Sequence, residues 1–109
     1  MRNLDTFVLC EEANERVRAK VWCKIVGGCM SVEGQDLGLA PMDSFGADEY
    51  EYFYDWDEAN TEKLISLLNE EGRSLADVLK EKYGGLDGCS KLRDTCKEHG
   101  IEYKFSSWF

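Results

Sequence analysis

The clearest pattern in the chain is the strict alternation from Arg16 to Val26. Val17, Ala19, Val21, Cys23 and Ile25 fall on one side; Arg16, Arg18, Lys20, Trp22 and Lys24 fall on the other. A period of two over this length predicts a strand with one buried face and one wet face. Ahead of it, Thr6 to Cys10 is a short β-branched and aromatic run that predicts another strand, with the turn over Glu11 to Glu15. Gly27-Gly28 supplies the positive-φ positions of a tight hairpin, and Cys29 to Glu33 returns as a third strand.

From Gly34 to Asp48 the period is lost. Gly34, Gly38, Pro41 and Gly46 interrupt any pattern, so the segment reads as a connection of about fifteen residues, the kind that is functional or mobile. It carries Leu37, Leu39, Met42 and Phe45, which either tuck against the core or are offered to a partner. Alternation resumes over Glu49 to Trp56. Tyr50, Tyr52, Tyr54 and Trp56 share one side; Glu49, Glu51, Phe53 and Asp55 share the other.

The second half changes period. Asp57 is a good N-cap for a helix to about Glu71, with Leu64, Ile65 and Leu68 buried and Gly72 as its stop. Ser74 followed by Asp77 resembles a capping box and opens a helix over Leu75 to Tyr83. A third helix runs from near Asp87 to His99, closed by Gly100, and Ile101 to Trp108 alternates as a final strand. The order β-β-β-β-α-α-α-β over residues 1–109 predicts one α+β domain. Its sheet is mostly antiparallel, of about five strands, with helices packed on one face.

Charge sharpens this picture. The net charge is −9, and between Lys24 and Lys63 stand ten carboxylates without a Lys or Arg. Nucleic acid and anionic membranes need local positive charge, so neither is expected as a partner; a basic protein is. No long apolar stretch follows Met1 and none approaches a membrane span, so a cytoplasmic protein is expected. Five cysteines without CxxC spacing read as free thiols in a reducing compartment.

Candidate chemistry is sparse. Cys89, Leu92, Cys96 and His99 recur at the spacing of one buried helical stripe, from which a metal site or a Cys–His pair can be imagined. The Cys-x6-Cys spacing is wider than zinc sites use, and a core stripe is the commoner meaning. The acidic segment lacks calcium-loop spacing, and no nucleophile elbow, phosphate loop or dinucleotide fingerprint occurs. No enzyme activity and no cofactor are expected. Binding fits better, because Tyr and Trp provide contact area and carboxylates steer a basic partner. The residues expected at such a site are Asp36, Asp43, Phe45, Asp48, Glu49, Glu51, Tyr52, Asp55 and Trp56. Only one side of the Glu49–Trp56 strand can stay exposed if helices cover the other. With the tyrosines in the core, the interface shrinks to the loop and the acidic side.

The runs Gly34-Gln35-Asp36-Leu37-Gly38 and Asp48-Glu49-Tyr50-Glu51-Tyr52, a leucine-rich helix, and the ending His99-Gly100-Ile101-Glu102-Tyr103-Lys104-Phe105 with Trp108 carry a resemblance. From about Cys29 onward the chain resembles small, stand-alone, acidic bacterial proteins, some of which are grouped with immunity proteins of toxin–immunity systems. The resemblance implies a partner that is bound and neutralised, and it assigns no catalytic residue. The expectation is therefore an immunity-type protein that blocks a basic toxin. Two alternatives stay open: a small enzyme or metal protein using Cys89, Cys96 and His99, or a homo-oligomeric subunit associating through a sheet edge or Trp22 and Trp108.

Overall fold

The computed structural model describes residues 3–13, 17–38, 49–85 and 87–108. Five strands, β1 (Leu4–Ala13), β2 (Val17–Val26), β3 (Cys29–Gly38), β4 (Glu49–Asp55) and β5 (Lys104–Trp108), form one sheet in the order β1-β2-β3-β4-β5. Every neighbouring pair is antiparallel. Three helices, α1 (Glu58–Leu68), α2 (Leu75–Tyr83) and α3 (Gly88–His99), lie between β4 and β5 in the chain and cover one face. This is the expected α+β architecture, with the expected order of elements.

Local chemistry explains most of the boundaries. Gly27 and Gly28 take φ of 62° and 80° in the β2–β3 hairpin, a conformation that other residues adopt only with strain. The Asp57 carboxylate accepts the Asn60 N–H at 2.8 Å and opens α1, and the Ser74 hydroxyl accepts the Asp77 N–H at 3.1 Å and opens α2. α1 ends at Leu68, short of the expected Glu71, because beyond Leu68 the chain offers only exposed Asn69, Glu70 and Glu71 to the helix register.

Two further expectations are corrected. β1 continues through Ala13 rather than turning at Glu11; Glu11 pairs with Lys20 and Ala13 with Arg18. β3 runs on to Gly38 instead of ending at Glu33. Its Gly34 does not break the strand, since it lies directly opposite Tyr52, whose ring crosses the space a side chain would fill. A Cβ at position 34 would overlap that ring. Residues 39–48 of the expected loop lie outside the described residues.

The core fills the space between sheet and helices. Val21, Cys23 and Ile25 of β2, Met30 and Val32 of β3 and Tyr54 of β4 meet Leu64, Ile65 and Leu68 of α1, Val78 and Leu79 of α2, and Leu92 and Cys96 of α3. Two buried polar residues fasten α1 to its surroundings. Thr61 Oγ1 accepts the Met30 N–H at 2.9 Å, and Asn60 Oδ1 accepts the Glu102 N–H at 2.9 Å just before β5. Both satisfy backbone donors that the sheet leaves unpaired.

Candidate protein-binding face

Antiparallel partners point to the same side of a sheet, so the register shows what the uncovered face presents. Across its middle run Val8, Trp22, Glu33, Phe53 and Ser106. On one side of that row lie Glu11, Lys20, Gln35, Glu51 and Trp108, followed by Ala13, Arg18, Leu37 and Glu49. On the other lie Lys24, Ser31, Asp55 and Lys104. Read along strands rather than across them, the face is a basic column on β2 and an acidic column on β4, separated by β3. Aromatic rings sit in both, and Trp108 at the edge is 68% exposed.

A groove of about 470 Å³ lies in this face, with Trp22 and Phe53 along it and Lys24, Ser31, Glu33 and Asp55 around it. Because β3 separates the columns, the bases of β2 do not neutralise the acids of β4. Lys20 instead pairs with Glu11 of β1 at 3.0 Å, its ammonium also 5.3 Å from the Trp22 ring centre. Among the described residues no Lys or Arg lies at ion-pair distance from Glu33, Glu49, Glu51 or Asp55. Two of them have neutral donors instead: Ser31 donates to Asp55 at 2.8 Å, and Gln35 Nε2 donates to Glu49 at 2.9 Å.

Glu49 and Glu51 crowd each other. A hydrogen bond to Glu49, then burial, then the charges of Glu49 and Glu33 raise the Glu51 carboxyl above its ordinary range. Donation from Gln35 and then from Glu51 lowers Glu49. A cation placed here would relieve the repulsion.

The expected site residues divide between the two faces. Glu49, Glu51 and Asp55 stand together on the open face. Asp43, Phe45 and Asp48 lie outside the described residues. Asp36, Tyr52 and Trp56 are placed differently from the expectation. Asp36 pairs with Ala19 and Tyr50 on the covered side, where burial raises its carboxyl pKa. Tyr52 packs against the core, as does Cys89 of α3; burial pushes the phenol well above its ordinary value. Trp56 is 2% exposed, its ring against Tyr54 and Tyr103, so it is a core residue and no anchor for a partner. Glu33 and Phe53 join the site in their place. Phe53 was legible as the outward aromatic of its strand, whereas Glu33 needed the β3 register.

The Cys/His stripe separates as well. Cys96 is fully buried, Cys89 partly so, and His99 is exposed at the end of α3. Burial pushes the Cys89 thiol up to about 11 and that of Cys23 up to about 12, which keeps both protonated at neutral pH and weakens them as nucleophiles. Among the described residues no group of three or more His, Cys, Asp or Glu is placed to hold a metal ion. No described helix is long and apolar enough to cross a membrane. No protein-family model, curated protein or solved structure matches the chain.

Proposed function

We propose that this chain is a protein-binding module of the immunity type, which holds a basic protein against the β4 half of its open sheet face. The observation that carries this reading is the crowded acidic cluster of Glu33 on β3 with Glu49, Glu51 and Asp55 on β4, which no described Lys or Arg neutralises, beside Phe53 and Trp108. Like-charged carboxylates held together by a rigid sheet are an unfavourable arrangement that a cationic partner improves, and the aromatics beside them supply apolar contact. A basic toxin is the partner that fits both this chemistry and the resemblance of the sequence.

The test is capture by the tagged protein at low salt, eluted in rising salt, with matched charge reversals. Glu49→Lys and Glu51→Lys should lose a basic protein that Glu62→Lys and Glu98→Lys, on the helix side, retain. Equal loss in both sets would reduce the interaction to bulk charge and sink the reading.

A further inference from the structure

We propose that the open face also pairs with a second copy of this chain, face to face, about a twofold axis parallel to β3 and just above it. A twofold interface places the same patch on both sides, so the patch must complement itself. A half-turn about an axis parallel to the strands keeps each row at its level and exchanges left with right. β3 then lies over β3, and the β2 of one copy lies over the β4 of the other.

The outward residues of β2 are Arg18, Lys20, Trp22 and Lys24; those of β4 are Glu49, Glu51, Phe53 and Asp55. The β3 register fixes which of them share a row. Arg18 and Glu49 are linked through Leu37, Lys20 and Glu51 through Gln35, Trp22 and Phe53 through Glu33, and Lys24 and Asp55 through Ser31. In the facing arrangement each base of β2 therefore meets an acid of β4 and Trp22 meets Phe53, and every one of these contacts occurs twice. A uniformly basic surface can use only the β4 half of this face; a second copy uses both halves.

Four strand spacings of about 4.8 Å and seven residues of about 3.4 Å give a footprint of roughly 19 by 24 Å. That is roughly 460 Å² per copy and about 900 Å² in total, below the roughly 1,200 Å² of stable interfaces and in the size class of weak, transient pairs, so the dimer belongs at high micromolar concentration. Aligned sheets cross at about 30°; with the crossing at Glu33 this keeps the adjacent rows of Lys24–Asp55 and Lys20–Glu51 in reach and relaxes the farther row of Arg18–Glu49. One contact is unfavourable: Glu33 faces its own copy on the axis. The pairing needs no other protein and does not rest on the basic-partner reading, although the two share Glu49 and Glu51 and would compete.

The test is sedimentation velocity of the full chain at low salt, from micromolar to hundreds of micromolar, with folding checked by circular dichroism. Lys24 is exposed and Asp55 is an exposed strand-end residue, so reversing either leaves the core untouched. Lys24→Glu and Asp55→Lys should each weaken the native dimer about tenfold, since each places two like-charge contacts in it. Mixed in equal amounts, the two variants should form a one-to-one heterodimer as tight as the native dimer. The double variant K24E/D55K should self-associate again. Glu33→Gln should tighten the dimer. A native protein that stays monomeric throughout, or a mixture no more associated than its components, would overturn the proposal, as would a dimer indifferent to these changes.

Discussion

The two faces of the sheet are made from the same strands and behave as different materials. The covered face is closed by helices, and several of its groups are held by specific partners. Tyr52 fits the slot at Gly34, Thr61 accepts the Met30 N–H, and Asn60 accepts that of Glu102. The open face holds rings and charges that the fold itself does not use. There the acids of β4 are left unneutralised although bases stand two strands away. The difference teaches that composition alone does not locate a binding surface in this chain. Tyrosine and tryptophan are abundant in the acidic segment, yet Tyr52, Tyr54 and Trp56 belong to the core. The described aromatics of the open face are Trp22, Phe53 and Trp108, dispersed over three strands.

The sharpest way to break the comparison is to damage one face and measure both properties. Leu79 is fully buried on α2, and Leu79→Ala should cost about 2–5 kcal/mol in urea unfolding through the cavity it leaves. Thr61→Val keeps the shape but removes the acceptor of the Met30 N–H; it should cost about 1–3 kcal/mol by the same measurement. Trp108→Ser on the open face should change stability by no more than about 0.5 kcal/mol while weakening partner binding in a titration.

The smallest effect is electrostatic. The raised pKa of Glu51 contributes stability that is fully present below the unfolded glutamate value and is lost as pH rises through the folded one. Glu49, lowered by Gln35 and Glu51, works in the opposite sense: its contribution is present above the unfolded value and is lost as pH falls through the folded one. Thermal melts of Glu51→Gln should therefore lack the gain that the native protein shows on acidification through the region just above the ordinary glutamate range. An unchanged pH profile would mean that the two carboxylates do not interact in solution.

Much of this was legible in the residues. Alternation across Val17–Val26 identified the buried side of β2, and Asp57 and Ser74 marked two helix starts that their hydrogen bonds confirm. Two features were hidden by long-range geometry. In β1 the register shifts between Val8 and Cys10, so Leu9 and Cys10 are both buried and simple alternation fails. At Gly34 a residue that locally signals a break is instead the floor beneath a tyrosine from the next strand. The site was half legible for the same reason. The spacing of Glu49, Glu51 and Asp55 placed them on one side of β4, but which side the helices cover is decided by contacts among β3, β4 and α3. Asp36, Tyr52 and Trp56 could be assigned to the covered side only once that was known.

The central claim is that the open face serves binding and the covered face serves stability. It is tested most directly by measuring, on the Glu49→Gln/Glu51→Gln variant, both its melting temperature and its association rate with a captured basic partner at low salt. The account predicts a melting temperature equal to or above that of the native protein and a clearly slower association. A lowered melting temperature with an unchanged association rate would assign these carboxylates to the fold and contradict it.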